Sequence, residues 1–147
     1  MERNHTSRRD LLQLGVAAGA ASILSGCKLV GSRKPDVVAQ VQNNRISLSK
    51  EESAKLLTSE GSLLVEPKGY KDKIIVVHAR DGGLHATSAI CTHMGCTVRY
   101  DEKLGILHCP CHGSEYGLDG HNIRGPAKRP LKQYDVRTEN GLVVITL

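Results

Sequence analysis

Two short segments constrain this chain more than anything else in it. "CTHMGC" (Cys91 to Cys96) and "HCPCHGSEYG" (His108 to Gly117) place four cysteines and three histidines within 27 residues. The ligand spacing is Cys91-x-His93, then 15 intervening positions, then Cys109-x-x-His112. Each segment thus offers one thiolate and one imidazole, and any fold must bring the two segments together if they serve one site. The chain has 147 residues, which suits one domain, and it contains no Trp and no Phe. The core must therefore be built from Val, Ile, Leu and Ala.

The flanking pattern is that of short strands. Val37 to Val41 and Arg45 to Leu48 read as a first hairpin about Asn43-Asn44. Ser49 and Glu52 form a capping-box pattern that starts a short helix to about Leu57. Ser62 to Glu66 and the β-branched run Lys73 to Ala79 read as strands, followed by a turn at Asp81-Gly82-Gly83 and a return over Leu84 to Ile90. Thr97 to Tyr100 pairs with Ile106 to His108, and Gln133 to Arg137 pairs with Leu142 to Leu147 about Glu139-Asn140-Gly141. Many short strands separated by turn residues define an all-β sandwich or barrel. Both Cys/His segments then leave strand ends, at Ile90 and His108, as loops.

A zinc ion would accept two thiolates and two imidazoles at about 2.0 to 2.3 Å. Zinc sites more often show Cys-x-x-Cys pairs, and they leave Cys96 and Cys111 without a use. The full pattern, Cys-x-His-x-Gly-Cys with Cys-x-Cys-His-Gly-Ser, resembles that of the Rieske iron-sulfur proteins over roughly Val65 to Leu147. The resemblance implies a Rieske-type antiparallel β-sandwich or barrel with a cluster-binding subdomain of two loops, and one [2Fe-2S] cluster per chain. It implies that Cys91 and Cys109 bind one iron and that His93 and His112 bind the other through their δ nitrogens. In the cytochrome bc-type branch the positions of Cys96 and Cys111 form a disulfide; the alternatives are two free thiols or further ligands. Ser114 is implied as a donor to a bridging sulfide, and Tyr116 as a donor to a cysteine sulfur, that of Cys91 by precedent. "RGPAKRP" (Arg124 to Pro130) resembles the proline loop that covers the cluster from a third side, with more basic residues than that loop usually has. Met94 stands where the quinol-oxidising proteins usually have Leu.

Replacing two thiolates by neutral imidazoles makes the cluster less negative, so an electron is added more easily. Rieske centres accordingly span roughly −150 to +300 mV, against about −400 mV for plant-type ferredoxins. The resemblance implies one-electron transfer as the iron-sulfur subunit of a quinol-oxidising cytochrome bc-type complex, without catalysis by the chain alone. His93 and His112 are the residues at which a quinol's electron and proton would be taken, giving a midpoint that falls by up to about 59 mV per pH unit. The implied partners are a cytochrome b-type or other oxidoreductase subunit, a c-type cytochrome or similar acceptor, and quinol. A Rieske subunit of another exported oxidoreductase, similar to that of arsenite oxidase, or a separate electron-carrying lipoprotein is the alternative, and a structural zinc domain a more distant one.

The N-terminus reads as an address. Arg8-Arg9 resembles a twin-arginine export signal, and the uncharged run Leu11 to Ser25 is shorter than the roughly 20 apolar residues of a membrane-spanning helix. Leu24-Ser25-Gly26-Cys27 is similar to a lipobox, which makes Cys27 a lipidation site and accounts for the odd cysteine among five. The expected organisation is a signal over 1–26, a tether over 27–36 and the domain over 37–147. The domain is then exported and membrane-anchored through its N-terminus, facing the periplasm or extracytoplasmic side. The net charge of +5 is mild and its basic residues are interspersed with acids, so a nucleic-acid partner is not expected.

Overall fold

A computed structural model describes residues 33–58 and 61–147. The export signal, the lipobox and Cys27 lie outside the described residues. Among the described residues, no helix is long and apolar enough to cross a membrane.

Among the described residues, eleven strands form two sheets, accompanied by one helix. The larger contains β1 (Val37–Ala39), β2 (Arg45–Ser47), β3 (Gly61–Pro67), β4 (Ile74–His78), β5 (Leu84–Ser88), β10 (Gln133–Glu139) and β11 (Leu142–Thr146). Its order is β1-β3-β4-β5-β10-β11-β2. The smaller runs β6-β7-β8-β9, from β6 (Arg99–Asp101), β7 (Ile106–His108), β8 (Glu115–Tyr116) and β9 (Asn122–Arg124). The helix α1 (Lys50–Leu57) begins at Ser49, whose side chain accepts from the Glu52 amide while the Glu52 carboxylate accepts from the Ser49 amide. Two donors at the helix start are thereby satisfied.

The fold is all-β, as the strand pattern indicates, but the first hairpin is not a hairpin. Gln42 and Arg45 do exchange two backbone hydrogen bonds across Asn43-Asn44, both in the left-handed region. The strands on either side then part. β1 pairs in parallel with β3, and β2 pairs antiparallel with β11. The tight turn thus joins the two ends of the large sheet and brings it close to a barrel.

The continuous apolar runs of β3 and β4 have a direct physical cause. Successive residues of a strand point to opposite faces, and these two strands are buried on both. Leu63, Val65, Ile74 and Val76 enter one core with Ile46, Leu56, Val143 and Ile145. Leu64, Ile75 and Val77 enter a second with Val98, Leu107, Tyr116, Ala127 and Leu131, and with the cysteines Cys91 and Cys109. The site therefore grows out of a hydrophobic core that β3 and β4 share with the small sheet.

Candidate metal centre

Two loops from different sheets carry the Cys/His segments. Loop 1 follows β5 and loop 2 follows β7. They share one backbone frame. In loop 1 the Cys91 amide donates to the Cys96 carbonyl and the Gly95 amide to the Cys91 carbonyl, at 2.8 and 2.9 Å. In loop 2 the Cys109 amide donates to the Ser114 carbonyl and the Gly113 amide to the Cys109 carbonyl, at 2.8 and 3.0 Å. Each glycine has a positive φ, 76° at Gly95 and 74° at Gly113, which a side chain would strain. The turn that places each cysteine is thus written by a glycine four positions later.

A disulfide joins the loops: Cys96 and Cys111 are bonded, with Cα atoms 6.5 Å apart. Cys91 and Cys109 are free and buried. The sulfurs of Cys96, Cys109 and Cys111 lie within 4.8 Å of one another, but two of them are consumed in the disulfide and offer no thiolate. The imidazoles of His93 and His112 stand at the protein surface, edge to face, with centroids 4.7 Å apart. Their Nδ1 atoms face each other at 3.3 Å. A tetrahedral ion with nitrogen ligands at about 2.0–2.1 Å sets those nitrogens roughly 3.3–3.4 Å apart. The donor set of two buried thiols and two converging δ nitrogens therefore fits an iron-sulfur centre held between the loops.

Behind the cysteines lies Tyr116, fully buried. Its hydroxyl is 3.2 Å from the Cys91 sulfur and 3.2 Å from the Thr92 hydroxyl, and it accepts from the Thr92 amide at 3.3 Å. The Thr92 hydroxyl donates its own proton to the Arg129 carbonyl at 2.6 Å. The phenol proton then has two acceptors, Thr92 Oγ1 and Cys91 Sγ, and an ionised sulfur is the stronger. Ser114, also fully buried, accepts from the Ala127 amide at 3.0 Å and so keeps its proton to donate. Thr92 and Ser114 together fasten the segment from Gly125 to Pro130 across both loops.

The two thiols are not equivalent. Burial pushes the Cys91 thiol up, but hydrogen bonds from Tyr116, the His93 backbone, Cys109 and Ser114 outweigh it and hold the group below the ordinary thiol value. For Cys109 burial dominates; backbone hydrogen bonds from Cys111 and His112 oppose it, but the adjoining Cys91 adds to it, and the thiol stays above that value. Burial, then the neighbouring Cys91, raises the Tyr116 phenol, so it remains a protonated donor.

A polar network supports loop 1 from the large sheet. Asp72 accepts from the Tyr134 hydroxyl at 2.6 Å and from the Ser88 hydroxyl at 2.8 Å. Ser88 Oγ in turn accepts from the Ile90 amide at 3.1 Å, one residue before Cys91. Lys132 lies 4.3 Å from the Tyr134 ring centroid and donates to the Tyr70 hydroxyl at 3.0 Å.

The structure brings Cys91, His93, Cys109, His112, Ser114 and Tyr116 together and bridges Cys96 to Cys111. His78 and His85 lie on β4 and β5, His108 on β7, and His121 pairs with Asp119. Thr92 is the residue that sequence reasoning misses, its only signal being a polar β-branched residue between Cys91 and His93.

A β protein with two thiols and two imidazoles on bridged loops belongs to the class of small metal-binding domains. A profile of the Rieske [2Fe-2S] domain matches residues 47–135, and the chain belongs to that family. The cofactor implied is a [2Fe-2S] cluster. Over 76 residues the chain is 51% identical to the cytochrome b6-f complex iron-sulfur subunit of Chlorobaculum tepidum, a match over 52% of this chain and 41% of the relative. The corresponding subunit of Synechococcus sp. (strain WH7803) is 32% identical over 108 residues, 67% of this chain and 61% of the relative. The chain thus spans about half the length of these relatives. A cyanobacterial plasma membrane Rieske protein from Synechocystis PCC 6803 superposes with a TM-score of 0.57 at 27% identity, covering 69% of this chain and 98% of that one. A chain in the complex of reduced oxygenase and oxidized ferredoxin in carbazole 1,9a-dioxygenase shares the fold at a TM-score of 0.60 and 20% identity, over 71% of this chain and 94% of that one.

Proposed function

We propose that the chain is the iron-sulfur subunit of a quinol-oxidising cytochrome bc-type complex, tethered to a membrane through its N-terminus. In this reading Cys91 and Cys109 hold one iron, and His93 and His112 hold the other through Nδ1. When bound, the cluster supplies a high-potential one-electron acceptor, because two neutral imidazoles replace two thiolates. The residues do the rest. Nδ1 is directed inward at both histidines, which leaves the Nε2 edges to face solvent or a quinol and to hold a proton. Tyr116 and Ser114 donate hydrogen bonds toward sulfur, which favours the more negative state and raises the potential. The Cys96–Cys111 bridge keeps the two loops closed over the centre.

The observation that carries this reading is the facing pair of Nδ1 atoms at 3.3 Å on the same two loops as two buried free cysteines. The named relatives are subunits of cytochrome b6-f complexes, which supports a b-type and a c-type cytochrome as partners. A second reading, a separate electron carrier outside such a complex, draws on the near-complete coverage of the plasma membrane Rieske protein. Purification of the full chain from detergent-solubilised native membranes separates them. Co-purifying b-type and c-type haem is the expected result. Recovery of the iron-sulfur protein with no b-type haem contradicts membership of the complex.

A further inference from the structure

Beside loop 1 lies an open cleft of about 580 Å³ whose lining includes Cys91, Thr92 and His93 and extends past them to Arg129 and Lys132. One wall is apolar, with Ile90, Pro130 and Met94, the last 69% exposed beside the exposed imidazole of His93. The other wall carries two cations, Arg129 and Lys132, and no carboxylate lines the cleft. Lys128, also exposed, precedes Arg129 on the same segment. The placement is fixed by hydrogen bonds, since the Arg129 carbonyl accepts from Thr92 in loop 1. Asp72, which bonds Ser88 on the cleft wall, accepts from the Ser88 and Tyr134 hydroxyls. Elsewhere on the described surface several cations are matched: Arg45 with Glu139, Lys73 with Glu66 and Arg124 with Glu115.

Cations without carboxylate partners, set against an exposed methionine at the rim of the two histidines, form a half-interface. The missing half brings carboxylates to Arg129 and an apolar contact to Met94, while Lys132, held by the Tyr70 hydroxyl and the Tyr134 ring, adds to the positive field. We infer that this cleft is the docking surface for an acidic redox protein, which places its own electron-transfer edge against His93. The inference rests on the electron-carrier reading, because only then does an occupant gain from standing at that edge. The electron leaves the reduced centre of this chain and enters the oxidised centre of the partner, one for one. Like-signed partners are repelled by the same field, so the surface selects as well as steers.

The test uses the full chain with its cluster, reduced, in stopped-flow mixing with an oxidised acidic c-type cytochrome and, separately, with a basic one. Ionic strength is raised from about 0.01 to about 0.15 M, over which the screening length falls from about 30 to about 8 Å. The acidic cytochrome is expected to react faster at low salt and to slow by about tenfold or more as salt rises. Arg129→Glu should remove most of that salt dependence, and Lys103→Glu, on the turn at the far end of β7, should keep it. Calorimetric titration of the same cytochromes reads binding independently of electron transfer. Equal rates and equal binding for both cytochromes, or a salt dependence untouched by Arg129→Glu, overturn the docking inference alone. A protein with no reducible centre overturns the electron-carrier reading together with it. Arg129-dependent binding to phosphatidylglycerol vesicles with no preference between cytochromes assigns the surface to a membrane and also overturns the inference.

Discussion

Loop 1 and loop 2 are built on one backbone frame and arrive at different environments. In both, a cysteine amide bonds the carbonyl five residues on, and a left-handed glycine returns to the cysteine carbonyl. The side chains then break the likeness. His93 sits two places after its cysteine and His112 three, so the disulfide takes the remaining slots, at Cys96 in one loop and Cys111 in the other. Loop 1 is further tied by Thr92 to Tyr116 and Arg129 and by Ile90 to Ser88. Loop 2 has the Ser114 to Ala127 bond as its corresponding tie. Tyr116, which Thr92 contacts, also bonds the Cys91 sulfur and helps to hold that thiol down, while burial leaves Cys109 high. A repeated frame thus positions ligands alike, and the surrounding side chains decide how each behaves.

The largest expected effect comes from erasing the chemistry common to both loops. Cys91→Ser or Cys109→Ser should abolish cluster retention, read from iron and sulfide content of the purified protein. If either variant retains the parent's iron and sulfide content, that cysteine is not a ligand.

Opening the bridge comes next. Its residues are 15 apart, and a loop of about that size contributes about 3 kcal/mol in the chain-entropy account. Cys96→Ala with Cys111→Ala should lower the denaturation midpoint accordingly. Amide exchange should rise more at Gly113 than at Gly95, because loop 1 keeps its other ties. Equal loosening of the two loops contradicts the anchoring asymmetry.

Removing the donors is subtler. Tyr116→Phe and Ser114→Ala should each lower the midpoint potential measured by redox titration. Tyr116→Phe should also shift the environment of Cys91 without altering the Cys109 side. Unchanged potentials in both variants would remove these residues from the tuning of the centre.

The smallest effect lies outside both loops and serves as a control. Arg45, then Arg137, holds the Glu139 carboxyl below the usual carboxylate range. A depressed folded pKa stabilises above the ordinary value of about 4.3 and ceases to do so as pH falls through the lower folded value. Glu139→Gln should therefore lower stability near neutrality and converge with the parent in acid. Its potential should match the parent's, and a shifted potential would show that the distant end of the sheet also reaches the centre.

Much of this was legible in the sequence because it is local. The two Cys/His segments, the capping box at Ser49 and Glu52, and the turns at Asp81-Gly82-Gly83 and Asn140-Gly141 each depend on residues within a few positions. The doubly buried β3 and β4 showed as uninterrupted apolar runs. The pairing of β1 did not show: Val37 and Ala39 point inward and Val38 outward, a pattern that any neighbouring strand satisfies. Asn43-Asn44 marks a true turn, yet non-local registers with β3 and β11 decide where its arms go. Glu115–Tyr116 and Asn122–Arg124 are too short for a period to appear. Thr92 was silent because its role depends on the carbonyl of Arg129, 37 positions away.

The assignment of ligands is tested most directly by electron paramagnetic resonance of the dithionite-reduced full chain carrying ¹⁵N-histidine. Two coupled histidine nitrogens should appear, on a centre whose average g lies below the free-electron value, and His93→Ala or His112→Ala should abolish that centre. A cluster signal with no histidine nitrogen coupling, or a colourless protein that holds zinc, would contradict the assignment of His93 and His112 as iron ligands.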